Sequence, residues 1–155
     1  DVYKRQESRT GDINRSLAYY MKGNQMIEGD VPEILDAYFR QCSVNVTATG
    51  IAKLAAVLAN KGIAPWNGNR LITEESATIV KSIMTTAGLY DESGEFSVHV
   101  GVPAKSGVGG GLMAAVPNRY GIGVFSPALD PFGNSAAGIQ LLKDVVKELD
   151  ADIFE

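Results

Sequence analysis

The sequence predicts an α+β fold with helices packed on a mostly antiparallel sheet. Four helical patterns follow one another up to Gly88. The texture then changes, with seven glycines between Gly101 and Gly123 interleaved with Val, Leu, Met and Ile. One last helical pattern closes the chain. Helices, then strands, then a terminal helix is the order expected when helices cover an antiparallel sheet.

Each element has its own signal. After Gly11-Asp12, Leu17, Tyr20 and Met21 recur at three-and-four spacing, and the pattern ends near Gly23-Asn24. Asp30-Val31-Pro32-Glu33 is an Asp-x-x-Glu start with proline in the first turn. It opens a second helix whose apolar face is Val31, Ile34, Leu35 and Tyr38. A third helix is expected from about Thr47, with Ile51, Leu54, Ala55 and Leu58 on one stripe and Gly62 beyond its end. Pro65-Trp66-Asn67-Gly68 is turn chemistry. Thr73 is expected to cap a fourth helix carrying Ile79, Val80, Ile83 and Met84. Phe96-Ser97-Val98-His99-Val100 alternates as a strand does. Lys105 to Val116 reads as one or two strands and Tyr120 to Phe125 as another, joined by a Pro117-Asn118 turn. Asn134-Ser135 is expected to cap the last helix, with Ile139, Leu142, Val145, Val146 and Leu149 as its buried stripe.

Composition narrows the functional classes. The chain is 45% hydrophobic and 21% charged, as ordinary globular proteins are. A net charge of -4 and the lack of a Lys/Arg cluster argue against a nucleic-acid partner. Apolar runs such as Leu112 to Val116 are far shorter than the ~20 residues that span a bilayer, so no membrane partner is expected. Cys42 is the single cysteine and His99 the single histidine. An internal disulfide is therefore excluded and a metal site would rest on carboxylates alone. Cys42 is expected to be an ordinary buried thiol, and His99 lacks a partner that would make it catalytic. With no secretory signal visible, these features point to a reducing, cytoplasmic compartment. Length alone suggests one domain.

The first six residues stand apart. Asp1-Val2-Tyr3-Lys4-Arg5-Gln6 back-translate, among other possibilities, to GATGTGTATAAGAGACAG, which resembles the transposase end used in sequencing adapters. Residues 1–6 are thus expected to be a processing scar left out of the fold, with residues 7–155 part of a gene truncated at its 5′ end.

Two motifs invite chemistry. Gly107-Val108-Gly109-Gly110-Gly111 lacks the Gly-Lys-Ser/Thr ending of a phosphate loop, and no helical pattern follows it. A sheet whose neighbour or ligand approaches the backbone closely accounts for it better. Lys105-Ser106-Gly107 resembles the Lys-Thr/Ser-Gly element of serine β-lactamases and penicillin-binding proteins. There a lysine supplies charge beside the nucleophile, and the hydroxyl and open strand backbone orient an acyl substrate.

A chain of longer motifs resembles the serine-dependent glutaminases. Tyr38-Phe39-Arg40-Gln41-Cys42-Ser43 is similar to the family's Tyr-x-x-Gln-Cys-Ser, and Ala56 to Gly62 to its Ala-Thr-Leu-Ala-Asn-Gly-Gly. Gly88-Leu89-Tyr90-Asp91-Glu92-Ser93-Gly94-Glu95-Phe96 is similar to its Gly-Met-Tyr-Asp-x-Ser-Gly-x-Phe. Gly101 to Gly111 matches its Gly-Leu-Pro-Ala-Lys-Ser-Gly-Val-x-Gly-Gly almost letter for letter. Ser126-Pro127-Ala128-Leu129-Asp130 and Gly133-Asn134-Ser135 complete the pattern, which runs from Glu7 to the last helix.

The resemblance implies a β-lactamase/transpeptidase-like fold with its N-terminal part missing, residues 7–155 being the C-terminal portion of one glutaminase domain. It implies L-glutamine as a small-molecule substrate, no cofactor, and a homo-oligomer, dimer or tetramer, at full length. Glu7 and Asn14 correspond to the pair that holds the amino-acid end of glutamine, a carboxylate for the ammonium and an amide for the carboxylate. Tyr38 and Tyr90 match two active-site tyrosines, suited to moving protons between nucleophile and leaving group. Tyr38 also fits a core place on the Ile34-Leu35-Tyr38 stripe. Lys105 supplies charge, and the Val108 N–H would serve the oxyanion hole.

The family's nucleophile is the serine of a Ser-x-x-Lys motif. No such motif lies in residues 1–155. Thr78-Ile79-Val80-Lys81 has the spacing but lies downstream of Tyr38, where the family has none. The motif is therefore expected upstream of Glu7, and the isolated chain is expected to be inactive. Two alternatives remain open: a related serine amidohydrolase with another amide substrate, and a non-catalytic remnant that binds a partner.

Overall fold

Capping side chains set where the helices begin. In the computed structural model, which describes residues 8–155, Asp30, Thr47, Thr73 and Ser135 each accept a hydrogen bond from the backbone N–H three residues on. Each satisfies a donor that the first helical turn would leave orphaned. The helices are α1 (Asp12–Gly23), α2 (Val31–Cys42), α3 (Ala48–Ala59), α4 (Glu74–Ala87), α5 (Ser93–His99) and α6 (Ala136–Glu148). The strands are β1 (Ala104–Ser106), β2 (Gly111–Val116) and β3 (Tyr120–Phe125). A 3-10 turn, Tyr90–Glu92, leads into α5.

The chain divides into two units, residues 1–45 and 46–155. In the first, α1 packs on α2 through Ala18, Val31, Leu35 and Phe39, with Ile27 against them. The expected stripes are displaced here. Leu17 and Tyr20 are exposed and Ala18 is buried instead; Phe39, not Tyr38, continues the Val31-Leu35 line. Val31, Leu35 and Phe39 are four apart, and a helix buries the line its partner touches, whatever other apolar residues flank it.

In the second unit, β1, β2 and β3 form an antiparallel sheet in that order, pairing Lys105 with Met113 and Ala115 with Gly121. Residues of β2 alternate between two cores, as a strand of period two requires. Leu112, Ala114 and Val116 enter one with Phe96, Leu142 and Val146; Ala115 enters the other with Ala55, Leu58 and Met84. The sheet thus lies between α3 and α4 on one face and α5 and α6 on the other, which is the α+β class the sequence predicts. Complete burial of a side chain such as Leu142 is worth about 1.5–3 kcal/mol.

Glycine makes the α3 face possible. A Cβ on Gly121 would fall 2.1 Å from the Ala56 nitrogen, and one on Gly123 would fall 2.2 Å from the Ala48 carbonyl oxygen. The helix backbone rests directly on β3, the close approach expected of a glycine-rich sheet. The Gly107 to Gly111 segment is likewise a turn between β1 and β2, with Gly110 at φ +90° and the Ser126 backbone against it.

Several expectations are corrected. Phe96 to Val100 is not a strand: Ser93–His99 is helical, with Ser93, Phe96 and Val100 buried at three-and-four spacing and Val98 exposed. Five residues fit either period, and tertiary burial decides between them. Leu54, Ile79, Val80 and Ile83 are exposed, while Ala55, Ala77 and Met84 fill the core. Leu149 sits at the C-cap of α6, also exposed. Cys42 is exposed at the end of α2, not a buried thiol. Among the described residues, no helix is long and apolar enough to cross a membrane.

Candidate active site

Three of the residues singled out in the sequence converge in the second unit. The strand β1 carries Lys105 on its exposed face and Ser106 on its buried one, because neighbours on a strand point oppositely. The Lys105 ammonium lies 4.7 Å from the centroid of the Tyr90 ring and also donates to the Ser106 carbonyl. A Cβ on Gly133 would touch both Tyr90 and Val108, 3.7 Å from the Tyr90 Cε2 and 3.8 Å from the Val108 Cγ1. Tyr90, Lys105 and Val108 therefore border one exposed region, floored by Gly133.

The backbone there is shaped unusually. Tyr90 has φ 52°, a conformation that costs a non-glycine residue about 1–3 kcal/mol and survives only where its surroundings impose it. In the turn after β1, the Gly107 N–H donates to the Gly111 carbonyl and the Gly110 N–H to the Gly107 carbonyl. Among the described residues the Val108 N–H donates to no backbone carbonyl, which leaves it for an acceptor brought from outside.

Asn134 lies beneath these residues, fully buried. Its Oδ1 accepts from the Ser106 hydroxyl at 2.5 Å, and its Nδ2 donates to the Glu92 carboxylate at 2.6 Å and the Leu89 carbonyl at 3.2 Å. Asp130 closes the loop below by accepting from the Phe132 and Asn134 N–H groups. Glu92 and Asp130 also interact, each shifting the titration of the other. Burial raises the Glu92 carboxyl above its ordinary range; the Asn134 amide opposes this, while Asp130 and Glu95 add to it. Burial would raise Asp130 too, but donation from Asn134, Glu92, Phe132 and Gly133 holds it below the usual range.

The remaining candidates belong to other elements. Asn14 is half-buried on α1, and Tyr38 is an exposed residue of α2 whose ring meets Phe39 edge-on, both in the first unit. Glu7, like the six residues before it, lies outside the described residues. Thr78 and Lys81 do not form a nucleophile pair. The Thr78 hydroxyl donates to the Glu74 carbonyl one turn back, and the Lys81 ammonium reaches the Leu58 carbonyl at 2.6 Å. Burial lowers the Lys81 pKa, against Glu74 and with Lys61. His99 is exposed, 4.0 Å from Glu95 on its own helix.

Sequence reasoning missed the layer of Glu92, Ser93, Asp130 and Asn134, in which Ser93 and Asn134 are buried and the two carboxyls half-buried. Its signal was present in the two motifs Tyr90-Asp91-Glu92-Ser93 and Asp130 to Ser135, where Asn134-Ser135 reads as a helix cap. Ser135 is that cap, whereas the Asn134 side chain turns inward.

Comparison with known proteins supplies an independent line. A family model described as Glutaminase matches residues 1–154. Glutaminase 1 of Clostridium perfringens is 66% identical over 148 residues, covering 96% of this chain and 48% of that protein. The glutaminase of Clostridium tetani is 56% identical over 154 residues, covering 99% and 50%. A Bacillus subtilis glutaminase, solved as a covalent complex with 5-oxo-L-norleucine after reaction with 6-diazo-5-oxo-L-norleucine, superimposes with a TM-score of 0.94 at 40% identity. That match covers 98% of this chain and 55% of the other. The chain spans about half the length of the curated relatives it matches.

Proposed function

Because the chain belongs to the glutaminase family, we propose that it works as the C-terminal half of an enzyme that hydrolyses L-glutamine to L-glutamate and ammonia. The observation that carries this reading is the meeting of Tyr90, Lys105 and Val108 around Gly133.

In this reading a serine oxygen attacks the side-chain amide carbon, and the carbonyl oxygen becomes an oxyanion stabilised by the Val108 N–H. The C–N bond then breaks, and ammonia leaves with the proton that the serine hydroxyl gave up on attack, passed on through the Tyr90 hydroxyl. Water attacks the resulting glutamyl-serine ester, its oxygen joining the acyl carbon as the serine C–O bond breaks, and one of its protons passes to the serine oxygen as glutamate is released. Lys105 supplies the positive charge that keeps the site suited to an anion. By the resemblance, Glu7 and Asn14 hold the amino-acid end of the substrate, and Tyr38 is a second tyrosine suited to moving protons. The relative's covalent complex with 5-oxo-L-norleucine supports a covalent route. Residues 1–155 contain no Ser-x-x-Lys, so the nucleophile and its lysine come from sequence outside them. The working enzyme is a cytoplasmic homo-oligomer.

Ammonia release from glutamine, asparagine and glutamine-containing dipeptides, measured on the full-length protein and on residues 1–155, tests the reading. Glutamine turnover by the full-length protein alone is expected. Turnover by residues 1–155 near the typical ~10 per second would overturn the external nucleophile, and preference for another amide would overturn the substrate.

A further inference from the structure

We propose that Asn134 is a positioning residue whose buried amide fixes the Tyr90 backbone in its left-handed conformation and holds it against the strand that carries Lys105. The proposal deepens the glutaminase reading and rests on it for its catalytic consequence, but its structural content stands apart.

The amide joins three segments. Both of its N–H bonds are used, one on the Leu89 carbonyl and one on Glu92, and its oxygen accepts from Ser106. Because the Leu89 carbonyl can only accept, the amide has one orientation. Ser93 completes the clamp, accepting from the Leu89 N–H at 3.0 Å and donating to the Tyr90 carbonyl at 2.8 Å. Both peptide groups flanking Tyr90 are thereby tied to buried side chains. The Ser106 N–H donates to the Gly88 carbonyl at 3.0 Å, so β1 and the Tyr90 turn are joined through backbone as well as through Asn134. A site held this way keeps a reacting group within the tolerance that catalysis needs, where a displacement of 1 Å costs about 100-fold.

Asn134→Asp provides a discriminating test. It keeps the oxygen that Ser106 donates to, but in its ionised form it sets a carboxylate against the Leu89 carbonyl and Glu92, with Asp130 and Glu95 nearby. Protonation restores one donor. In the full-length enzyme the variant is expected to lose about 100-fold in kcat at pH 8, to keep KM within about threefold, and to recover part of kcat as pH falls. A folding defect alone would lower active concentration without this pH-dependent return. A folded variant with unchanged kcat and pH profile overturns the proposal. If Asn134→Asp does not fold, Ser93→Ala takes its place, with a kcat loss at constant KM expected and an unchanged kcat overturning it.

The structural arm needs no activity. In Asn134→Ala, three-bond HN–Hα coupling and the Cα shift of Tyr90 are expected to leave the positive-φ range. Retention of positive φ overturns the clamp whatever the kinetics. Its loss in the variant, where the parent protein turns over no glutamine, supports the clamp and sinks the glutaminase reading.

Discussion

The Lys105 ammonium lies over the ring of Tyr90, 4.7 Å from its centroid. The negative face of an aromatic ring attracts a cation, an interaction worth about 0.5–1 kcal/mol at an exposed site. Tyr90 thus has a ring that meets the lysine and, in the proposed mechanism, a hydroxyl that moves a proton.

Tyr90→Phe separates them. The variant keeps the ring, the packing against Gly133 and the cation over it, and loses only the hydroxyl. In the full-length enzyme kcat is expected to fall roughly 100- to 10,000-fold, with KM changed far less. Steady-state kinetics decide, and an unchanged kcat would make Tyr90 a packing residue.

The Glu92–Asp130 pair makes stability depend on pH in two directions. Glu92 titrates above its unfolded value of 4.5, so the folded state holds its proton more tightly. The stability this brings is complete below pH 4.5 and is lost as pH rises through the folded value. Asp130 titrates below its unfolded value of 3.8, so its contribution is present above that pH and is lost as pH falls through its folded value. Glu92→Gln keeps a neutral group that can accept from Asn134 and donate to Asp130. The melting temperature of this variant, relative to the parent, is expected to rise between pH 4 and pH 7. A difference that stays flat or shrinks would contradict the upward shift of Glu92.

Much of the second unit was legible in the sequence because its signals are local. Thr47, Thr73 and Ser135 cap helices where expected, and β2 and β3 follow the Lys105 to Val116 and Tyr120 to Phe125 patterns. Burial was less legible, because it depends on which side of a helix finds a partner. Ala18, Ala55 and Ala77 are buried while the larger Leu17, Leu54 and Ile79 are not, since close helix packing favours the small side chain. Tyr90, Lys105 and Val108 were found through motif resemblance, which reports chemistry at the surface of a site. Asn134 escaped because a buried amide shows its role only once three distant segments meet.

Close approach of α3 to β3 predicts the cost of filling it. Gly121→Ala places a methyl group 2.1 Å from the Ala56 nitrogen, and the obstacle is backbone, which cannot rotate away. Overpacking of this kind costs about 1–3 kcal/mol or more. At about 2–4 °C per kcal/mol for a domain of this size, a drop of roughly 2–12 °C in Tm is expected. Gly94→Ala is the control, as neither glycine has a positive φ and nothing lies within 4 Å of a Cβ at Gly94. Equal effects at the two positions would remove the packing argument.

The outward face of α4 supports a prediction about residues 1–155 on their own. Ile79, Val80 and Ile83 are all exposed, Ile79 at 51% and Ile83 at 58%, and they share one side of the helix at one- and four-residue spacing. Such a stripe is what a helix presents to a partner surface, and contiguous apolar exposure beyond a few hundred Å² drives association. Residues 1–155 are therefore expected to bind ANS and to elute ahead of a monomer on size exclusion. Ile79→Gln with Ile83→Gln should reduce both, at a stability cost within about 0.5 kcal/mol per site because neither side chain is in the core. The paired comparison isolates this face, since Leu58 and Met84 remain buried beneath it and unchanged. A parent chain that melts cooperatively as a monomer and ignores ANS would show that residues 1–155 need no partner for this helix.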